Sequence, residues 1–539
     1  MNSKLSKHGT TTRELSLLLA VWLACSLLLM TIALRDLSAP GLYYDETVFA
    51  GMAKDFVRGA PVGPHMPFTT IGTFFGRPFP WFVQNYFGGL KCWLLIPSFA
   101  VFGSSIGVLR LTTLCLSLVA LLFFMLWTRK LAGLPVAIVA GPLLALDPSY
   151  FYLSEFDWGG VVPSFLCRAS GFYFFLLWAL GRKWRDGLLS AVLLGLGLFS
   201  KIDFAVILLG CGIALFVSFR QAALAALRDS RTQILVCCLA FLAVSYRMFF
   251  FLTDILKEAG RFAGRAGAFE EKLHTWEAMY DGSYFIRLIE FGGKFDLMFA
   301  NAASVWSPFG LAVLAAAVFL AVDAIRARNE GREARVTGFA VLSLALISLG
   351  VFLLPGGVRL HHFIMVYPFP HLVVAMAIVA LWRIPTKFAL AKLGLRLCSI
   401  AVLCAVLAGH VSALWQTQRL IAETGGRGWW SNAIARFCDD VENQAGLTIV
   451  SLDWGFNEQL CFLTEDKKLS EPFWNGQPAL IPGAVYLVHP PEYALFPQGQ
   501  ELLDFATRNP SRGLFIKPYK DRQGKVAFYA IRYQPIRQP

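Results

Sequence analysis

A chain of 539 residues that is 56% hydrophobic and only 15% charged, with a mean hydropathy of +0.57, is not an ordinary soluble protein. Its net charge of +13 would suit nucleic acid, but the basic residues recur at alternate ends of apolar stretches, which points to a membrane instead. No nucleic-acid partner is called for.

In chain order, apolar stretches that read as spans fall at about 15–34, 111–127, 134–151, 160–180, 187–199, 204–219, 232–252, 302–322, 337–354, 362–382 and 397–415. Those at 187–199 and 204–219 are short for a bilayer. A further apolar stretch near 92–103 suits a re-entrant or interfacial helix. The first stretch is too long for a signal-peptide core and lacks an Ala-x-Ala cleavage pattern, so it reads as a retained anchor.

Charge tests the alternation. With the N-terminus cytoplasmic, the inner segments carry Lys4, Lys7 and Arg13; Arg129 and Lys130; Arg182, Lys183 and Arg185; and Arg220, Arg228 and Arg231. They continue with Arg326, Arg328, Arg332 and Arg335, then Arg383, Lys387, Lys392 and Arg396. The short outer loops at 152–160, 200–203 and 355–361 carry only Lys201 and Arg359. This is the positive-inside pattern. The prediction is an all-α polytopic membrane protein of about eleven transmembrane helices (residues 1–415), followed by a small C-terminal α/β soluble domain (416–539).

The first outer loop, 35–91, opens with a predicted amphipathic helix from Asp45 to Arg58, with Val48, Phe49, Met52 and Phe56 on one face. Pro- and Gly-rich turns are predicted at 61–67 and 76–80. A second outer loop covers about 253–300. In the tail, strands are predicted at Thr448–Leu452, Ala484–Val488, Leu514–Lys517 and Val526–Arg532, with a helix at Gln500–Arg508. Cys438 and Cys461 fall in this tail and are candidates for a disulfide. Most of the other cysteines lie in apolar spans, where they read as small buried hydrophobes.

Two adjacent carboxylates, Asp45 and Glu46, stand just past the first span. Such a pair at the mouth of an apolar bundle is costly unless it does chemistry or binds a cation. Asp157, at the outer end of the third span, lies on the same predicted membrane face. Carboxylates converging from separate loops suit removal of a hydroxyl proton or ligation of a hard divalent cation, here by Asp45 and Asp157. The competing reading is a helix-end cap, strongest for Asp157. Outward-facing cations near the membrane are Lys201, Arg359 and Arg58, with His361 and His362 beside them. Together they could hold a lipid phosphate, although each alone is readily explained by snorkelling to headgroups.

In order along the chain come Asp45-Glu46, then Tyr86-Phe87-Gly88-Gly89-Leu90-Lys91, Phe102-Gly103-Ser104-Ser105 with Arg110-Leu111, Trp127-Thr128-Arg129-Lys130, Asp157, and Ser200-Lys201. This series resembles the GT-C membrane glycosyltransferases, and within them the family of dolichyl-phosphate-mannose–protein mannosyltransferases and the bacterial lipid A aminoarabinose transferase. The resemblance covers about 15–415, and at Arg359-Leu360-His361-His362-Phe363 the chain departs from that family's Arg-Tyr type. It implies a multi-pass protein of the cytoplasmic (inner) membrane with its active site and tail extracytoplasmic, in the periplasm or its equivalent. The implied activity is transfer of one sugar from a polyprenyl-phosphate carrier to an acceptor hydroxyl. Asp45 would be the base, Glu46 and Asp157 would orient the acceptor or hold a metal ion, and the cations would hold the carrier phosphate.

Hexose, pentose and amino-sugar donors fit that implication, as do glycan, lipid and protein acceptors in a cell envelope. The rivals are a transporter or flippase of a lipid-linked substrate, a diphosphate-dependent ligase or polymerase, and a scaffold whose tail binds a partner. A transporter would place charge near the midplane. Here the acids gather at one face. Trp429, Trp430, Trp454 and Trp474 read either as sugar-stacking surfaces or as core.

Overall fold

The computed structural model describes residues 12–62, 69–262, 268–301, 307–326, 331–356, 358–474 and 479–535. Lys4, Lys7, Arg328, the Trp474 side chain and most of the turn expected at 61–67 lie outside the described residues. Helix α1 (Thr12–Ala33) leads to α2 (Tyr44–Arg58), the predicted amphipathic helix. Its Val48, Phe49 and Met52 are buried, and Gly59 ends it in the left-handed region at φ 70°. Where the sequence suggested only a turn at 76–80, a hairpin forms from β1 (Thr70–Phe74) and β2 (Arg77–Gln84). Its loop is Phe75-Gly76, both at positive φ, which matches the twist of paired strands. Strand β3 (Phe87–Gly88) completes this small sheet, and α3 (Leu90–Phe102) is the short apolar helix expected near 92–103.

The bundle follows as α4 (Ile106–Ala132), α5 (Leu134–Ala145), α6 (Pro148–Phe156), α7 (Val161–Gly181), α8 (Trp184–Ser200), α9 (Phe204–Asp229) and α10 (Arg231–Phe250). Four short helices occupy the second outer loop: α11 (Leu252–Phe262), α12 (Ala268–Asp281), α13 (Tyr284–Glu290) and α14 (Phe295–Ala300). The bundle ends with α15 (Phe309–Arg326), α16 (Arg332–Leu353), α17 (Leu360–Phe363), α18 (Phe369–Arg383) and α19 (Ala389–Thr424). Among the described residues, nine segments are long and apolar enough to cross a membrane, α17 and α18 counting as one. A tenth is the pair α5 and α6, bent by 63°. Helix α8, one of the two stretches the sequence marked as short, has 17 residues and is not among these. The other stretch expected to be short reaches 26 residues in α9, kinked at Phe219.

The two broken spans are tied together inside the bundle. Asp147, at the bend, accepts the Tyr150 backbone N–H at 3.0 Å and so caps α6. Its other oxygen accepts the Tyr367 hydroxyl at 2.9 Å, from the break between α17 and α18, and lies 3.2 Å from Nε2 of His371 in the first turn of α18. Arg168 of α7 donates to the Met365 carbonyl in the same break. These bonds satisfy backbone groups that an interrupted helix would otherwise expose to hydrocarbon. They also fix the outer halves, α6 and α17, on which the candidate site is built.

Helix α19 has 36 residues, or about 54 Å at 1.5 Å per residue, well beyond a hydrocarbon core of about 30 Å. It therefore carries the chain clear of the bundle before Gly425 ends it. Beyond it lie α20 (Ala433–Val441), β4 (Thr448–Ser451), α21 (Asn457–Leu463), β5 (Lys468–Ser470), β6 (Val485–Val488), α22 (Pro497–Arg508), β7 (Leu514–Lys520) and β8 (Val526–Tyr533). The strand order is β5-β4-β6-β8-β7, with β4 parallel to β5 and β6, and β8 antiparallel to β6 and β7. Alternation along the strands feeds two cores: Ile449, Val485 and Leu487 pack with α20 and α21, while Val450, Tyr486 and Val488 pack with α22. Cys438 and Cys461 are both free thiols, so the candidate disulfide does not form. Cys438 is buried in the first of these cores, while Cys461 lies on α21 toward Gly51 of α2.

This domain is docked on the first outer loop. Lys54 of α2 donates to the carbonyls of Cys461, Phe462 and Thr464 at the end of α21, at 2.8–3.0 Å. The Gly41 backbone donates to the Trp430 carbonyl at 2.7 Å, and a Cβ at Gly41 would lie 2.2 Å from the Ser431 oxygen. Only glycine allows the two backbones to approach that closely.

Candidate active site

Asp45 and Glu46 occupy the first turn of α2, and their neighbours divide their roles. Glu46 is buried, and its carboxylate meets Arg110 of α4 through two bonds, 2.8 Å from Nε and 3.1 Å from Nη2. Arg110 also donates to the carbonyls of Leu37 and Pro40 at 2.9 Å. A two-pronged buried pair of this kind fixes geometry and leaves the carboxylate little freedom. Glu46 also reaches back to the Tyr43 backbone N–H, closing the first turn of α2. Its place is that of an anchor for the loop that presents Asp45.

Asp45 is only half-buried, and its carboxylate accepts the Trp158 indole N–H. Burial raises its pKa above the usual carboxylate range, while Trp158, Lys201 and Lys91 pull it back down. Asp157 is fully buried at the left-handed end of α6, with φ 39°. Gly159 and Gly160 follow at φ 68° and 73°, so three left-handed residues turn the chain sharply into α7. One Asp157 oxygen accepts the Val162 backbone N–H at 2.7 Å, capping α7, and the other lies 3.3 Å from Lys91 Nζ. Lys91 donates as well to the Asp157 carbonyl at 2.7 Å and the Glu46 carbonyl at 3.4 Å. The helix-end capping weighed for Asp157 is thus present, together with an ion pair.

The cations meet the acids from the other side. Lys201, the last residue capping α8, forms a bridge with Phe87 and lies 2.7 Å from Asp203 and 3.2 Å from His362 Nδ1. Burial lowers the Lys201 pKa, against the pull of Asp203 and Asp45. Burial would raise the Asp203 carboxyl, but Lys201 and His362 outweigh it and hold it below the usual range. His361 stacks near the Trp158 ring, with centroids 5.2 Å apart, and its buried Nδ1 has no hydrogen-bond partner. Arg359 pairs with Glu271 of α12 and packs over the Phe295 ring. Arg58 stands apart at the other end of α2, about 20 Å along the helix from Asp45, where it pairs with Glu465 of the C-terminal domain.

The aromatic wall comes largely from the tail. Tyr43 stacks on Trp430 at 4.4 Å, and Trp454 stacks on Tyr44 at 4.8 Å. Trp429 and Trp430 are buried, and Trp454 is half-exposed beside the mouth. Of the tryptophans weighed for sugar stacking, Trp454 alone among the described side chains keeps an accessible ring.

Among the described residues, no three His, Cys, Asp or Glu converge to hold a metal ion. In this structure Asp157 faces an ammonium and a backbone N–H, and Asp45 an indole N–H. The arrangement suits proton transfer and charge pairing. Sequence reasoning assigned no role to Trp158 or Asp203, and gave Lys91 a role only among the first-loop cations that could meet a lipid phosphate. Lys91 and Arg110 stood out in the motif series of the resemblance but without their carboxylate partners, and nothing about an indole in a Trp-Gly-Gly run announces a carboxylate partner.

A bundle of broken and whole spans, with an acidic loop after the first helix and a soluble tail docked upon it, has the fold of the GT-C membrane glycosyltransferases. Residues 90–248 match the family profile described as dolichyl-phosphate-mannose-protein mannosyltransferase. In structure the chain is similar to ArnT from Cupriavidus metallidurans in the apo state, with TM-score 0.54 and 14% identity over 97% of this chain and 98% of that one. It is similar to the same protein bound to undecaprenyl phosphate, with TM-score 0.53, 12% identity and the same coverage. A zinc- and sulfate-bound oligosaccharyltransferase from Archaeoglobus fulgidus also superposes, with TM-score 0.50 and 13% identity over 84% of this chain and 62% of that one. No curated protein sequence matches the chain. The profile match over part of the chain and the shared fold agree with the resemblance read from the sequence.

Proposed function

We propose that this protein transfers a single sugar from a polyprenyl-phosphate donor to an acceptor hydroxyl at the outer face of the membrane, with Asp45 as the base. The observation that carries the reading is the division between the three acids. Glu46 is held by Arg110 and Asp157 by Lys91, whereas Asp45 is only half-buried and, among the described residues, accepts an indole N–H rather than a charged partner. Of the three, Asp45 is the carboxylate able to take a proton from an incoming hydroxyl.

The chemistry balances without an enzyme nucleophile. The acceptor oxygen attacks the anomeric carbon, and its proton passes to Asp45. The bond from that carbon to the phosphate oxygen breaks, and the polyprenyl phosphate departs with the electron pair. Lys201, His361, His362 and Arg359 would balance the charge left on that phosphate. A single displacement inverts the anomeric centre. ArnT bound to undecaprenyl phosphate is a precedent for a carrier phosphate on this fold.

The test is a donor panel: purified protein is incubated with polyprenyl-monophosphate and polyprenyl-diphosphate sugars and cell-envelope acceptors. Product from monophosphate donors, with inverted anomeric configuration, is the expected result. Turnover of diphosphate donors alone, or a retained configuration, would overturn the reading.

A further inference from the structure

The opposite end of the bundle holds a second feature that the transfer reaction does not use. Where α18 turns into α19, Trp382, Arg383, Thr386, Lys387, Lys392 and Arg396 surround a cavity of about 810 Å³. The lining contains four cations and no carboxylate. The cluster sits at the last turn of α18 and the opening turns of α19, at the end far from Asp45, because α17 and α18 run inward from the site and α19 runs back out.

The positive-inside rule accounts for basic residues at this end, but not for their convergence on one hollow. Arg383 at a helix C-terminus is favoured by the macrodipole; Lys392, close to the N-terminus of α19, is not. Arg396 lies over the Trp382 ring at 5.1 Å, which fixes its guanidinium, yet its buried Nε has no hydrogen-bond partner. Like charges gathered in this way repel unless an anion joins them. Directly beyond the cavity, Leu390, Leu393 and Leu397 of α19 are exposed at spacings of three and four residues, forming one apolar stripe.

From these observations we infer that the hollow between α18 and α19 is a binding site for an anionic phospholipid, whose phosphates meet Lys387, Lys392 and Arg396 while its acyl chains lie along Leu390, Leu393 and Leu397. The charge complement and the adjoining apolar stripe select a lipid over a free anion. The volume accommodates a headgroup with one or two phosphates. This site stands apart from the sugar-transfer site and does not depend on how that site works.

The test is native mass spectrometry of the full-length protein titrated with cardiolipin, phosphatidylglycerol, phosphatidylcholine or inorganic phosphate. The triple variant Lys387→Gln, Lys392→Gln, Arg396→Gln is compared with Arg220→Gln, Arg228→Gln, Arg231→Gln at the same end of the bundle. With about a fivefold effect for each lost cation near an anionic headgroup, the first variant is expected to weaken cardiolipin binding about 100-fold, and the second by less than threefold. Phosphatidylcholine and inorganic phosphate should bind weakly to every form. Should the first triple variant fail to fold, the pair Lys387→Gln and Lys392→Gln, both exposed, carries the same test with an expected loss of about 30-fold. Equal binding by wild type and the first variant, equal losses in both variants, or displacement of cardiolipin by inorganic phosphate would each overturn the inference.

Discussion

At the mouth formed by α2, the α6–α7 turn and α17, Glu46, Lys91, Asp157, Lys201 and Asp203 are buried and paired with opposite charge or backbone groups. At the far end of the bundle, Arg383, Lys387 and Lys392 stay exposed beside a cavity whose lining has no carboxylate. Burying an ion costs several kcal/mol even after relaxation, so a cluster of buried pairs persists where its geometry is needed. Exposed cations avoid that desolvation cost and follow the positive-inside pattern, their convergence aside. The two ends therefore use similar residue types for different purposes, and four substitutions sharpen or break that contrast.

The largest effect is expected from Arg110→Gln, which strands the fully buried Glu46 carboxylate. Losing one partner of such a pair costs about 3–5 kcal/mol. The melting temperature should fall clearly, and adding Glu46→Gln should recover most of the loss. A single variant that melts like wild type would show that the mouth tolerates unpaired charge, and the contrast would fail.

Trp158→Phe comes next. The indole N–H stabilises ionised Asp45, so its removal raises the Asp45 pKa further above the ordinary value. A base must be deprotonated, so the acid limb of the transfer rate should move to higher pH. Below the limb each unit of movement costs about tenfold in rate. An unmoved limb would detach Trp158 from the proton transfer.

In the C-terminal domain, Asp453 tests burial where opposing groups, backbone N–H donors and the Lys294 charge, do not offset it. Burial pushes its pKa up to about 7, although the backbone N–H groups of Trp454, Leu495 and Phe496 pull the other way. The folded domain then holds a proton that the unfolded chain gives up near pH 4. Its stability should decline as pH rises from about 4 to about 7 and level off above. Asp453→Asn should flatten that decline in a pH series of melting curves. The smallest effect belongs to the far end, where Arg228 is exposed and pairs with the adjacent, exposed Asp229. Arg228→Gln should leave melting unchanged.

Much of the architecture was legible because hydropathy and charge both mark a bilayer. Alternating basic loops gave the order of the spans, and strand-period patterns located β4, β6, β7 and β8 to within a few residues. The breaks were not legible. The apolar stretch 134–151 was read straight through Asp147-Pro148, and only the meeting of Asp147 with Tyr367 and His371, more than two hundred residues away, shows why the chain bends there. The same holds at the site. Asp45, Asp157 and Lys201 stand out as costly charges, but the assignment of Arg110 to Glu46 and Lys91 to Asp157 depends on which helices pack together. The β1–β2 hairpin was missed because its glycines and prolines resemble a plain turn.

The central claim is that Asp45, rather than its better-paired neighbours, removes the acceptor proton. Its most direct test measures sugar transfer from a polyprenyl-phosphate donor by wild type and Asp45→Asn, with melting followed in parallel. The account predicts at least a hundredfold loss of transfer, the scale of a general base, with melting unchanged. Transfer by Asp45→Asn at the wild-type rate would contradict it.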